Sequence, residues 1–155
     1  MTQSAPYPAR ETQTRKTSQI LRAFYTEIWE QAQFDRIEDY FVPSSTHPIL
    51  VADRAVDVNE VREWMLILNR LVRDIKVRFI HAIDSGDWAS AFLEITCSSR
   101  TDGKTVVVYQ QIMSRQSGGL LVESYPQFDM LRFFEQLGQL PPDIYPLLMG
   151  GNRLT

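Results

Sequence analysis

The chain has little of what several functional classes require. Cys97 is the only cysteine among 155 residues, so neither an intramolecular disulfide nor a cysteine-based metal cluster can form. The two histidines, His47 and His81, lie far apart and show no Glu-x-x-His spacing, which argues against a metal site. No run approaches the ~18 apolar residues of a membrane span, and residues 1–16 lack the apolar core of a signal peptide. We therefore expect a soluble cytoplasmic protein with no metal and no other cofactor.

Positive charge is not in excess either. Lys and Arg number 16 against 19 Asp and Glu, and both signs are interspersed, so the sequence lacks the basic stripe of a nucleic-acid surface. Gly118-Gly119 is not followed by Lys-Ser/Thr and a helix start, which excludes a phosphate loop there. The apolar content of 44% is that of an ordinary globular domain able to bury its own core.

Three parts of the chain differ in composition. Residues 1–16, rich in Thr, Gln and Ser, predict a flexible N-terminal arm, and residues 17–140 form one domain. Residues 141–155 read as a Pro-rich C-terminal arm in which three prolines should prevent regular helix. Because residues 144–149 are too apolar for a free tail, this arm should dock on its own domain or on a partner subunit.

Helical periodicity comes first in the domain. A helix should begin near Thr17 or Ser18, and a short helix should start at Asp35. After one short strand at residues 48–52, Asp57 and Glu60 mark the start of a long helix whose apolar face continues to residue 75.

A strand period of two replaces the helical period from residue 76 onward. Residues 76–83, 88–99, 105–114 and 120–128 are rich in β-branched and aromatic residues and are separated by short turns. Short turns imply antiparallel neighbours, so the C-terminal half predicts a meander. Helices followed by an antiparallel sheet indicate the α+β class.

The order of these elements resembles that of the NTF2-like superfamily, and within it the SnoaL-like, polyketide-cyclase-like proteins. Three stretches carry the resemblance. They are Leu21-Arg22-Ala23-Phe24-Tyr25 with Phe34-Asp35-Arg36-Ile37-Glu38-Asp39-Tyr40-Phe41-Val42-Pro43, then Asp84-Ser85-Gly86-Asp87, and finally Val122-Glu123-Ser124-Tyr125-Pro126-Gln127-Phe128-Asp129-Met130-Leu131 with Gln136-Leu137-Gly138.

This resemblance implies a cone: a curved antiparallel sheet with the N-terminal helices packed on its concave face around an apolar cavity. It also implies a homodimer through the outer face of the sheet. The superfamily contains isomerases, cyclases, epoxide hydrolases and pockets without catalysis, so the fold selects no reaction.

The closing strand departs from the family pattern. SnoaL-like members usually carry Glu-His-Trp-Asp or Glu-Asp-Trp there, whereas this chain has Ser124, Tyr125 and Pro126 after Glu123. The usual acid/base position therefore holds a hydroxyl. The Asp-Arg-Asp arrangement of the epoxide hydrolases is not found on these strands.

The apolar faces of the predicted strands and helices indicate which residues could line the cavity. His81 shares its parity with Val77, Phe79 and Ile83, so it is the candidate catalytic base if that face lines the cavity. Tyr25 and Trp64 are candidate cavity walls, and Tyr109 and Ser124 are candidate hydrogen-bond donors to a ligand.

The orientation or role of several other residues is also predicted from the sequence. Glu94, Gln110 and Gln111 face either the cavity or solvent, depending on strand parity. Asp129 reads as a helix N-cap and Asp53 as a turn or surface ion-pair residue. Cys97 reads as packing.

Two functions remain open from the sequence. The first is binding of an apolar, ring-bearing small molecule, with isomerisation or cyclisation by proton transfer. The second is a non-catalytic interaction or assembly domain that uses the sheet face and the C-terminal arm.

Overall fold

A six-stranded sheet forms the centre of the protein. The computed structural model describes residues 15–42, 49–51 and 54–154. The strands are β1 (Ile49–Val51), β2 (Arg54–Val56), β3 (Val72–Ser85), β4 (Trp88–Ser99), β5 (Thr105–Ser117) and β6 (Leu120–Phe128), in the order β2-β1-β6-β5-β4-β3. Strands β3 to β6 form the predicted antiparallel meander, and β1 pairs in parallel with β6. The α+β prediction is confirmed, while β2 was not predicted.

The two faces of the sheet differ in burial. On β4 the buried residues Ala89, Ala91 and Leu93 alternate with partly exposed ones, and β5 alternates in the same way. The buried set faces the helices and is called the inner face. The other side, called the outer face, carries the exposed rings of Phe92 and Tyr109. This alternation is that of a sheet covered on one side only.

Helix α1 (Thr17–Phe24) packs on the inner face and continues as a π-helix, Tyr25–Glu30. Its first turn is tied to the β3–β4 hairpin, because the Ser18 backbone N–H and hydroxyl donate to Asp84 at 2.9 and 2.6 Å. A carboxylate from another element thus bonds a free N–H group of the first turn. A 3₁₀ helix, Phe34–Tyr40, follows.

Helix α2 (Val58–Leu71) begins at the predicted cap, where Asp57 accepts a hydrogen bond from the Glu60 N–H at 3.0 Å. It ends four residues earlier than predicted. Val72 and Ile75, assigned from sequence to the apolar face of this helix, belong to β3 and are buried there. Both residues are β-branched and favour strand, and the extended backbone of Val72 ends the helix.

Two short helices close the chain. Helix α3 (Met130–Gln136) has the predicted N-cap, since Asp129 accepts from the Arg132 N–H at 3.1 Å. The expectation that prolines exclude further helix is wrong: α4 spans Ile144–Met149. Pro146 lies in its first turn, where the missing N–H costs no hydrogen bond.

The C-terminal segment docks on its own domain. Ile144 is fully buried, and its N–H donates to Glu135 of α3 at 3.1 Å. The Tyr145 hydroxyl donates to Asp129 at 3.0 Å. The sequence left open whether the arm docks on its own domain or on a partner subunit. In the structure it docks on its own domain. In the part of the chain that is described, no helix is long and apolar enough to cross a membrane.

Candidate functional site

An apolar cavity of about 470 Å³, open to solvent on one side, lies between the inner face of the sheet and the helices. Its size is within the range of ligand pockets, about 300–1,000 Å³. Helical residues supply most of its wall. They are Leu21, Phe24, Tyr25 and Trp29 from the first helix and its π-helical continuation, Glu60, Val61, Trp64, Met65, Ile67, Leu68 and Leu71 from α2, and Met130, Phe133 and Phe134 from α3. The sheet side supplies Gln110, Ile112, Leu121, Ser124, Pro126, Gln127 and Phe128, and Phe41 completes the set.

Aromatic contacts fix one side of the cavity. The rings of Tyr25 and Trp29 lie 5.3 Å apart between centroids, and Trp29 approaches Phe128 at 6.5 Å. Phe128 in turn meets Phe133 edge to face at 5.4 Å. These distances are those of favourable aromatic pairs, so the wall is a packed surface built from three elements.

Three of the predicted ligand-contacting residues do line this cavity. Tyr25 is 1% exposed, Ser124 is 3% exposed, and Trp64, at 42%, lies where the cavity meets solvent. Burial raises the pKa of the Tyr25 hydroxyl well above its ordinary value, so this group stays protonated and can donate a hydrogen bond.

Ser124 is held by a second buried hydroxyl. Its Oγ lies 2.8 Å from the Oγ of Ser114, directly opposite on β5. Each hydroxyl has one donor and two acceptor positions, so the pair retains capacity for a further hydrogen bond. Ser124 can therefore hydrogen-bond a ligand while remaining fixed by Ser114.

His81 and Tyr109 are not in the cavity wall. Both side chains are exposed, and His81 pairs with Phe92 on the outer face. A β-bulge between Phe79 and His81 is the physical reason: Phe79 keeps the inner-face parity, and one extra residue turns His81 outward. The placement of the candidate base on the cavity face is thereby corrected.

Tyr109 lies outside the cavity wall because of ordinary strand alternation. Its neighbours Val108 and Gln110 are buried on the inner face of β5, so Tyr109 must point outward. There its ring stacks on Phe92 at 5.5 Å and its hydroxyl donates to Glu94 at 3.3 Å. Glu94 also pairs with Arg78 at 3.0 Å, which resolves its open assignment in favour of the outer surface.

The same parity places Gln110 in the cavity and Gln111 outside it. Gln110 is 4% exposed and lines the wall, whereas Gln111 is exposed. Among the cavity residues listed above, Glu60 is the one carboxylate, at the first turn of α2. Sequence analysis assigned Glu60 a capping role only. Val108 and Ile112 have the same strand parity as Gln110 and are apolar, so the sequence could have indicated that Gln110 faces the buried side of the sheet.

Several remaining assignments concern residues outside the cavity. Cys97 is buried on the inner face of β4, in keeping with packing. Among the described residues, no group of three or more His, Cys, Asp or Glu side chains is arranged to hold a metal ion. His47 and Asp53 lie outside the described residues.

A second hollow, of about 650 Å³, lies on the surface between the β4–β5 turn and the α3–α4 connection. Four of its charged residues form two ion pairs, Lys104 with Asp102 at 3.2 Å and Arg132 with Glu135. We assign the candidate site to the apolar cavity, since apolar walls with few polar groups are what small-molecule sites share.

Comparison with known proteins gives structural similarity only. No family model and no curated protein sequence matches the chain. A solved SnoaL-like polyketide cyclase from Agrobacterium tumefaciens is similar, with 13% identity and a TM-score of 0.64 over 80% of this chain and 99% of the other. A candidate polyketide cyclase from Acidithiobacillus ferrooxidans gives 20% identity and a TM-score of 0.65 over 83% and 98%. AclR from Streptomyces galilaeus, described as a candidate hydroxylase, gives 16% and 0.69 over 86% and 88%. At these identities the likeness shows a shared fold.

Proposed function

Since the chain has the NTF2-like fold of the SnoaL-like polyketide cyclases, we propose that it binds an apolar, ring-bearing small molecule in the cavity. The observation that carries the proposal is the cavity of about 470 Å³, walled by aromatic and aliphatic side chains. Burial of apolar ligand surface would supply the affinity, at about 25 cal/mol per Å². Tyr25, Gln110 and Ser124 would orient the ligand through hydrogen bonds.

Binding is better supported than turnover. Proton transfer in such a site needs a carboxylate or imidazole within hydrogen-bond reach of the ligand. Ser124 occupies the family's usual acid/base position, and its partner is another serine, which is no base at neutral pH. Among the described residues that line this cavity, Glu60 is the carboxylate that an isomerase or cyclase could use as its base.

Loss of Trp64 tests the binding function. Trp64 lines the cavity yet is 42% exposed, so Trp64→Ala should remove part of the binding wall at modest cost in stability. The measurement is the ligand-induced shift in melting temperature across steroid-like, aromatic polyketide-like and terpenoid compounds. A ligand at ~100 times its Kd adds about 2.7 kcal/mol to the free energy of unfolding, or several degrees.

Leu66→Ala is the matched control, because Leu66 is equally exposed on the same helix and does not line the cavity. We expect the wild type and Leu66→Ala to show the shift and Trp64→Ala to lose most of it. The absence of a shift in the wild type across the panel would contradict the proposal.

A homodimer through the outer face is a second proposal, which concerns assembly. Phe92, Tyr109, Met113 and Ile83 are exposed on this face at 38%, 44%, 44% and 69%. Two Arg–Glu pairs lie beside them, Arg78 with Glu94 and Arg115 with Glu123. A face with both signs of charge can pair with a copy of itself across a two-fold axis.

The alternative interaction function receives less support. It would use the C-terminal arm to hold a partner, but Ile144 of that arm is buried against its own domain. An interaction through the arm would rest on its exposed residues Tyr145, Leu148 and Met149 together with the outer face.

A further inference from the structure

One buried polar atom in the cavity wall has no hydrogen-bond partner. The Gln110 side chain is 4% exposed, and its Oε1 is unpaired in the part of the chain that the structure describes. Roughly nine in ten or more buried polar groups in proteins are paired, so each exception calls for an explanation. Gln110 lines the cavity, which supplies one.

The strand neighbours of Gln110 offer its amide oxygen no partner, and Oε1 is closed off from water-sized molecules, so a ligand would reach it once the amide turns toward the cavity. Its inner-face neighbours along β5 are Val108 and Ile112. Its cross-strand neighbours are Leu93 on β4 and Phe128 on β6. All four side chains are hydrocarbon and offer neither donor nor acceptor.

A second glutamine on the same face of the same strand shows the opposite situation. Gln116 is also 4% exposed, but its amide nitrogen donates to the Arg15 carbonyl at 2.8 Å. Its Oε1 accepts from the Gly119 N–H at 2.9 Å. Gln116 thus has a structural role in the β5–β6 turn, whereas no contact within the described protein explains Gln110.

We propose that Gln110 recognises a hydroxyl group on the ligand, an inference that rests on the cavity being a binding site. A hydroxyl donates to an amide oxygen and also accepts from an amide N–H, so it matches both ends of the side chain. A charged group would pay the desolvation cost of apolar walls, whereas a neutral phenol or enol pays much less. The ligand class is therefore a hydroxylated ring compound, oriented with its hydroxyl toward β5.

A pair of probes that differ by one methyl group tests this proposal. We would measure Kd by fluorescence titration for 9-hydroxyphenanthrene and for its methyl ether, which cannot donate. With the wild type we expect the phenol to bind roughly five- to tenfold more tightly, the ratio that one neutral hydrogen bond supplies. With Gln110→Met the phenol should fall to the affinity of the ether, and the ether should be unaffected.

Thermal stability separates a ligand-binding role from a structural one. Replacing an unpaired buried amide with an apolar side chain of similar shape should leave the melting temperature of Gln110→Met equal to or above that of the wild type. The matched variant Gln116→Met breaks two hydrogen bonds and should melt lower while keeping the preference for the phenol.

Each other outcome overturns a distinct claim. Equal wild-type affinity for phenol and ether would overturn recognition by Gln110 and leave the binding function standing. A destabilised Gln110→Met that still prefers the phenol would show a structural glutamine. Failure of both probes, together with the compound panel, to bind would overturn the proposed function and this inference with it.

Discussion

Burial on the inner face determines the chemistry of single residues, and Cys97 shows this in a measurable way. The side chain is 3% exposed, and burial raises the pKa of its thiol from an ordinary 9.0 to about 11. The unfolded chain therefore releases this proton at lower pH than the folded protein does. Cys97 should contribute its full stabilisation below pH 9 and lose it as the pH rises toward 11.

We expect the free energy of unfolding to fall over this range by up to about 2–3 kcal/mol through this group. The measurement is urea denaturation between pH 8 and pH 11, with Cys97→Ala as the comparison. Because tyrosines of the unfolded chain also ionise near pH 10, roughly their ordinary pKa, the difference between the two curves isolates the thiol. Parallel curves would show that Cys97 ionises in the folded state as easily as in the unfolded one.

At the same scale, strand parity decided which site residues could be predicted from the sequence. Tyr25 and Trp64 were found because helical periodicity is robust and marks a broad face. His81 was misplaced because the bulge after Phe79 leaves no mark in the apolar pattern and reverses every later side chain. Gln110 was left undecided, since alternation alone does not say which face the helices cover.

At the scale of elements, α4 supports the cavity indirectly. It packs on α3 through Ile144, and α3 supplies Phe133 and Phe134 to the cavity wall. Ile144 is fully buried, so Ile144→Ala should lower the free energy of unfolding by about 2–5 kcal/mol. It should also weaken ligand binding, because the wall that α3 provides loses its backing.

Thermal melts and the ligand-induced shift measure these two effects. Met149→Ala is the control on the same helix, since Met149 is 87% exposed and its loss should change stability by less than about 0.5 kcal/mol. If Ile144→Ala melted like Met149→Ala, the docking of α4 on α3 would not contribute to stability.

Element boundaries were the weaker part of the sequence-based prediction. The start of α2 and of α3 followed from Asp57 and Asp129, whose side chains both accept backbone hydrogen bonds as caps. Helix ends depended on tertiary context instead. The apolar residues at 72 and 75 fit the helical stripe as well as the strand, and the pairing of Val72 with Ser99 on β4 decided in favour of strand.

At the scale of the whole molecule, the two faces of the sheet are chemically distinct. The inner face carries aliphatic residues, hydroxyls and Gln110 toward the cavity, while the outer face carries the stacked pair of Phe92 and Tyr109, 5.5 Å apart. The proposed ligand binding and the proposed self-association should therefore respond independently to substitution, because no strand residue serves both faces.

Phe92→Glu tests the proposed dimer across the outer face. Phe92 is 38% exposed, and a carboxylate there would be buried without a partner in the dimer and solvated in the monomer. We expect light scattering after gel filtration to give the mass of a dimer for the wild type and of a monomer for Phe92→Glu. Leu66→Glu, which places the same charge at a residue of 42% exposure on α2, should remain dimeric. A monomeric wild type, or a dimeric Phe92→Glu, would exclude the outer face as the dimer interface.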